Sequence, residues 1–211
     1  MPITCFYQAL KVYYNTNKMK LVIINYGAGN IKSIQFAFKR LGVDAILSNN
    51  PKEILAADKI IFPGVGEASS AMAMLKESGL DKLIPTLKQP VLGICLGMQL
   101  LCSSTEEGNT TGLGIFKTQV KRFNNTVKVP QMGWNLITDL KSDLFKGIKN
   151  TEYMYLVHSY YAEHCPEAIA KTTYGISYAS ALQHNNFYGV QFHPEKSSTA
   201  GAKILENFLK L

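Results

Sequence analysis

Three residue types in this 211-residue chain can together cleave an acyl bond: a thiol, an imidazole and a carboxylate. The thiol is Cys95, framed by glycines in Gly93-Ile94-Cys95-Leu96-Gly97, where the apolar run Pro90 to Ile94 gives way to a helix-like run from Leu96 to Cys102. A strand that turns sharply into a helix lifts a nucleophile above the end of the sheet, and glycines are needed where side chains would meet the bent backbone. The helix start also favours thiolate over thiol. The imidazole and carboxylate belong to His193 and Glu195 in Gln191-Phe192-His193-Pro194-Glu195. In an extended segment residues two apart face the same way, so the carboxylate can orient the ring. Each signal alone has an ordinary reading, a buried structural cysteine or a packed histidine. Together they make a nucleophile, a base and an orienter.

The elements that must position these groups are legible as alternating strands and helices. Lys20 to Asn25 is a short strand apolar on both faces, followed by the Gly27-Ala28-Gly29 turn and an amphipathic helix from about Ile31 to Leu41. The turn lacks the third glycine of a dinucleotide fingerprint. Asp44 to Leu47 and Lys59 to Phe62 predict the second and third strands, and the alternation implies a parallel, largely buried sheet. Pro63-Gly64-Val65-Gly66 closes the third strand before a helix starting near Glu67 or Ala68. On its own this stretch reads first as a strand-to-helix turn; its small residues also suit main-chain donors to an oxyanion. Ligands bind beyond the carboxyl ends of parallel strands, so this turn and the Cys95 elbow should meet there.

After about Gly108 the pattern changes to short strands: Lys117 to Phe123, Val127 to Val129, Asn135 to Thr138, Glu152 to Tyr160, Ile169 to Thr173, Ser180 to Gln183 and Phe187 to Phe192. They predict an antiparallel meander at one sheet edge, with hairpin turns at Asn124-Asn125 and His184-Asn185-Asn186. A helix from about Thr199 to Leu211 closes the chain, its Ile204, Leu205, Phe208 and Leu209 forming an apolar stripe.

Composition narrows the class. With 46% hydrophobic and 18% charged residues and no repeat, the chain reads as one globular unit, and no apolar run reaches membrane-spanning length. The net charge of +7 is scattered and accompanied by no nucleic-acid motif. Its densest group, Lys117, Lys121, Arg122 and Lys128, reads as a solvated hairpin face or as part of a protein interface. Four cysteines without C-x-x-C spacing fit a reducing cytoplasm, and the four histidines show no ligand spacing, so no metal is expected. Residues 1 to 18 precede a second methionine, Met19, and lack the features of a secretory signal. They read as an upstream start or artefact, or alternatively as an extra helical turn or two, ahead of a domain spanning 19 to 211.

With these elements placed, the chain resembles the class I (triad) glutamine amidotransferases from Met19 to its end. More narrowly it is similar to the glutaminase subunits of imidazole glycerol phosphate synthase, through N-Y-G-A-G-N at 25–30, P-G-V-G at 63–66, G-I-C-L-G-M-Q at 93–99, M-G-W-N at 132–135, L-V-H-S-Y at 156–160 and Q-F-H-P-E-K-S at 191–197. The resemblance implies a flavodoxin-like α/β fold, a mostly parallel sheet flanked by helices with an antiparallel meander at one edge. It implies catalysis by Cys95, His193 and Glu195, an oxyanion hole at Val65 and Leu96, and glutamine held by Gly66, Gln99, Ser159 and Tyr160. Gln99 could instead simply pack in its helix, and Ser159 and Tyr160 could serve only strand pairing. The resemblance also implies no cofactor and a (β/α)₈ cyclase partner receiving ammonia, with Asn30, Met132, Trp134, Tyr153 and Tyr155 as interface candidates, although a core position for Trp134 fits its type nearly as well. One departure is Gln131, where many members carry histidine; it leaves open a paralogous glutaminase serving a sugar or nucleotide precursor.

Overall fold

In a computed structural model of the chain, residues 19–27 and 31–211 are described; the N-terminal extension and Asn30 lie outside them. Five parallel strands form the centre in the order β2 (Ile46–Ser48), β1 (Leu21–Ile24), β3 (Lys59–Phe62), β4 (Val91–Ile94) and β13 (Phe187–Val190). Residues of β1, β3, β4 and β13 are buried on both faces, which is what covering helices on both sides require. The alternation within β1 shows it: Val22 and Ile24 join one apolar cluster, Leu21 and Ile23 the other. The first cluster is closed by α2 (Pro51–Leu55), α3 (Ala68–Glu77), α4 (Leu80–Leu83) and α5 (Leu96–Leu101). The second is closed by α1 (Ile31–Arg40) and α6 (Ser198–Lys210), where Ile204, Leu205, Phe208 and Leu209 form the buried stripe the sequence predicted.

The sheet continues as β12 (Ile176–His184), β10 (Tyr160–Ala162), β7 (Phe116–Arg122), β5 (Cys102–Thr105) and β6 (Thr110–Thr111), with β11 (Ala168–Tyr174) also paired to β12. Antiparallel pairing dominates this half, but β5 runs parallel to β7. A separate ribbon pairs β8 (Gln131–Ile137) with β9 (Glu152–His158).

Several boundaries differ from the sequence reading. The expected Phe187–Phe192 strand is not part of the edge meander: β13 lies between β4 and β12, parallel to β4 with Gly189 opposite Gly93 and Val190 opposite Ile94. Its turn from β12 is the expected hairpin, but His184 pairs with Phe187, so the loop is the two residues Asn185-Asn186, with Asn185 at φ 51°. Asn124-Asn125 is no hairpin, because β7 pairs with β5 and β10 whereas β8 pairs only with β9. Val127–Val129 is not a strand, and Lys117, Lys121, Arg122 and Lys128 therefore share no hairpin face; Lys121 instead meets Glu163 at 2.8 Å. The single strand expected over Glu152–Tyr160 breaks at Ser159, whose carbonyl accepts from the Phe123 N–H at 3.0 Å. That break sends β9 to the ribbon and β10 to the main sheet.

Candidate active site

The sheet brings its two chemical ends together. Cys95 follows β4, His193 follows β13, and the Cys95 N–H donates to the Val190 carbonyl at 2.8 Å. Cys95 sits at φ 53°, ψ −111°, a conformation that costs a non-glycine residue about 1–3 kcal/mol. Its surroundings hold it there. An added Cβ at Gly97 would lie 2.0 Å from the Phe62 carbonyl oxygen, and one at Gly64 would lie 2.5 Å from Gly97 N. The elbow and the Pro63–Gly66 turn thus touch backbone to backbone. The buried Tyr26 hydroxyl, which burial and then Cys95 hold protonated, donates to the Pro63 carbonyl at 2.8 Å and fixes that turn from the other side.

His193 and Glu195 do meet, with Nδ1 2.9 Å from Oε1, but not on an extended segment. Pro194 opens a short 3₁₀ turn (Pro194–Lys196) and His193 caps it, so the carboxylate returns to the ring over one tight turn. The Cys95 thiol itself donates to the Val157 carbonyl at 3.8 Å, and its sulfur lies near enough to the His193 ring to favour the charged imidazole. The His193 main chain is clamped by β9: its N–H donates to the Tyr155 carbonyl at 2.9 Å, and Ser197 Oγ donates to the His193 carbonyl at 2.7 Å while accepting from the Tyr155 N–H at 3.0 Å. Burial disfavours the charged imidazole, yet the contacts to Cys95 and Glu195 prevail and push His193 up to about 10. A charged imidazole against a sulfur, steered by a carboxylate, can deliver a proton to a leaving group and then take one from water.

A cavity of about 370 Å³ opens over this group, within the range of small-molecule sites. Val65, Gly66, Leu96, Gln99, Ser159 and Tyr160 all line it beside Cys95 and His193. Leu96 opens α5, so its N–H has no carbonyl within the helix to reach. A broader depression of about 670 Å³ lies between β7, β10 and β12, with His164 and Ser177 in contact at 2.9 Å, but it contains no cysteine and no strand-to-helix turn. Among the described residues no group of three or more His, Cys, Asp or Glu could hold a metal ion, and no helix is long and apolar enough to cross a membrane.

A sequence model of the glutamine amidotransferase class-I family matches residues 22–211. The chain belongs to that family. It is 55% identical over 196 residues, 92% of this chain and all of the relative, to the imidazole glycerol phosphate synthase subunit HisH of Bacteroides fragilis strain YCH46. The protein of the same name from Bacteroides thetaiotaomicron is 50% identical over the same share of each chain. In fold alone, the crystal structure of a glutamine amidotransferase from Thermotoga maritima is similar at a TM-score of 0.63 and 16% identity, covering 91% of this chain and 83% of that one.

Four side chains of this amidotransferase site were given no role in the sequence reading, although Gln191, Lys196 and His158 stand within its quoted motifs. Gln191 directs Nε2 at Cys95 Sγ, 3.7 Å away, and its Oε1 accepts from Gln99 Nε2 at 2.8 Å. The other Gln99 Nε2 hydrogen goes to the Tyr160 carbonyl at 2.9 Å, leaving Oε1 as the atom a ligand could use. Glu107 brings a carboxylate to the wall, held above its ordinary range by burial despite a 2.9 Å bond from the Ala68 N–H. Lys196 and His158 also line the cavity. Gln191 stands two positions before His193, but only its burial gives it a part in the site; Glu107 follows no pattern.

The amidotransferase carries its exposed aromatic and thioether groups beside the cavity. Met132, Trp134 and Tyr153 of the ribbon are 66%, 52% and 54% exposed, and Trp134 meets the half-buried Tyr155 edge-on at 6.0 Å. A core position for Trp134 is therefore excluded. Val157, opposite Met132 in the register, lines the cavity, so the apolar row runs to its mouth.

The charge on His193 has a measurable consequence. Its folded value lies above the ordinary 6.5, so its stabilising contribution is complete below about pH 6.5 and is lost as pH rises toward 10. Glu195→Gln removes a contact that favours the charged ring, lowering the folded value and flattening that loss. Melting temperatures from pH 6 to 10 should fall more steeply for the parent than for the variant; parallel profiles would mean Glu195 does not hold the proton.

Proposed function

We propose that this chain is the glutaminase subunit of an imidazole glycerol phosphate synthase, with residues 19–211 as its amidotransferase domain, working in the cytoplasm. The observation that carries the reading is Cys95 on its strained elbow, beside His193 and Glu195, in a cavity bordered by an exposed apolar ribbon. Relatives at 45–55% identity over 92% of the chain bear that subunit's name, which outweighs the departure at Gln131.

Cys95 Sγ attacks the side-chain carboxamide carbon of glutamine, and main-chain N–H groups of Val65 and Leu96 hold the oxyanion, each donor lowering the barrier by ~3 kcal/mol. His193 protonates the amide nitrogen as the C–N bond breaks, releasing ammonia and leaving a γ-glutamyl thioester. Water then gives a proton to His193 while its oxygen bonds to the acyl carbon; the C–S bond breaks and glutamate leaves. Gly66, Gln99 Oε1, Ser159 and Tyr160 surround the amino-acid end of the substrate, and the Glu107 carboxylate suits its ammonium group.

Ammonia protonates in neutral water and loses the lone pair that makes it a nucleophile, so it has to pass directly into a second protein. That partner is the (β/α)₈ cyclase, docked on Asn30, Met132, Trp134, Tyr153 and Tyr155. It uses the ammonia to convert a phosphoribosyl formimino intermediate into imidazole glycerol phosphate and an aminoimidazole carboxamide ribotide. The test is glutaminase activity of the chain alone and with the cyclase and its ligand. Activity should be negligible alone and strong in the complex, and Trp134→Ala should weaken association about 10- to 100-fold by titration calorimetry. Full activity without a partner would overturn the assignment.

A further inference from the structure

We propose that Gln131, Tyr178 and His158 form a hydrogen-bond chain of fixed direction that positions the Ser159–Tyr160 wall of the glutamine cavity from beneath the ribbon. Gln131 opens β8 and stands opposite His158 of β9 in the register. Its side chain points inward and is 2% exposed, whereas its neighbour Met132 faces out. Between Gln131 and His158 stands the buried Tyr178 of β12, its hydroxyl 2.9 Å from Gln131 Oε1 and 3.2 Å from His158 Nε2. His158 Nδ1 lies 2.7 Å from the Tyr160 carbonyl oxygen.

The direction follows from counting protons. A carbonyl only accepts, so Nδ1 of His158 carries a hydrogen. Burial lowers His158 to about 4, with the neighbouring His193 acting the same way against the bond to Tyr160, so the ring is neutral near pH 7 and Nε2 is a bare acceptor. The hydroxyl facing Nε2 is that of Tyr178, and it has one hydrogen to give. Given to His158, that hydrogen cannot also go to residue 131, so Gln131 must be the donor. Its amide is therefore turned with Nε2 toward the phenol, an orientation that is assigned from hydrogen-bond networks. The opposite orientation strands a buried Nε2 with no partner, and two unused donors cost more than an under-satisfied carbonyl oxygen. The nearby buried Thr172 hydroxyl makes no hydrogen bond and so does not compete for Nε2.

The chain thus runs from Gln131 to Tyr178 to His158 to the Tyr160 carbonyl. That carbonyl is the one Gln99 holds, and Gln99 in turn bonds Gln191, whose amide faces the Cys95 sulfur. Buried polar groups therefore connect the ribbon to the nucleophile without a break. Gln131 and Tyr178 touch no substrate; they are positioning residues for the cavity wall.

The proposal rests on the glutaminase reading above, and its test separates the two. In the complex with ¹⁵N-labelled histidine, His158 should show the neutral tautomer protonated at Nδ1. An ionised Gln131→Glu side chain can only accept, so at a pH high enough to ionise it the Tyr178 hydrogen turns to residue 131, Nε2 loses its donor and the tautomer signal changes. Tyr178→Phe, which introduces no charge, should do the same. In both, KM for glutamine should rise about five- to tenfold, the effect of one lost hydrogen bond, with kcat within about twofold because Cys95, His193 and Glu195 are untouched. A wild-type His158 protonated at Nε2, or variants that change kcat and KM together or change neither, would overturn it. A wild-type complex that releases no glutamate would sink the glutaminase reading, and the tautomer alone would then decide the chain.

Discussion

Cys95→Ala is expected to reduce glutamine-dependent synthesis by the complex about 10⁴-fold or more while synthesis from added ammonium salt stays within about twofold. The first effect is large because removal of the nucleophile eliminates the covalent route, leaving only the oxyanion donors and substrate binding. The second is small because Ala fits the space of the thiol and the ammonia acceptor is on the partner. Loss of both activities would contradict the division of labour. The other thiols that the structure describes cannot substitute: Cys102 is fully buried and desolvation holds its thiol protonated, and Cys165 is pushed up to about 11, by burial first and then by Glu167. An electrophilic glutamine analogue should therefore label Cys95, and mass spectrometry that found the adduct on Cys102 or Cys165 would assign the chemistry to the wrong sulfur.

What the sequence made legible was local. Leu21–Ile24, Ile60–Phe62 and Val91–Ile94 are continuous apolar runs next to glycine turns, and such runs have few alternatives to a buried parallel strand. The identity of a strand's neighbour is a different kind of information. Phe187–Val190 has the same doubly buried character as β4, which pointed to the sheet centre, but its position after several alternating strands suggested the edge. The parallel pairing of β5 with β7 is recorded by no periodicity in either segment. At the site, cysteine, histidine and glutamate could be read because few residue types do their chemistry. Tyr178 and Gln191 could not, since a tyrosine in a strand and a glutamine beside a proline-containing turn acquire meaning only when burial removes water as their partner.

The ribbon connects these two levels. His193 is held through the Tyr155 carbonyl and Ser197, so the strand presenting Tyr153 and Tyr155 to the outside also sets the height of the imidazole over Cys95. Under the proposed reading, a partner docked on this face would bear on the same strand that holds the proton carrier.

Gly97→Ala is expected to destabilise the chain by about 3 kcal/mol or more, against the sign that helix propensity gives. Position 97 lies inside α5, where alanine is intrinsically better than glycine by about 1 kcal/mol. The added methyl, however, would stand 2.0 Å from the Phe62 carbonyl oxygen and 2.9 Å from its carbon. Both are backbone atoms of β3, and a strand buried between β1 and β4 cannot swing aside as a side-chain tip can. Either α5 lifts from β3 or the Pro63–Gly66 turn shifts, and each separates Val65 from Cys95. The melting temperature should fall by roughly 6–12 °C for a domain of this size, and glutaminase activity per folded molecule should fall as well. A variant that melts higher than the parent with activity intact would show that the helix, and not the contact between these two backbones, sets the geometry of the elbow.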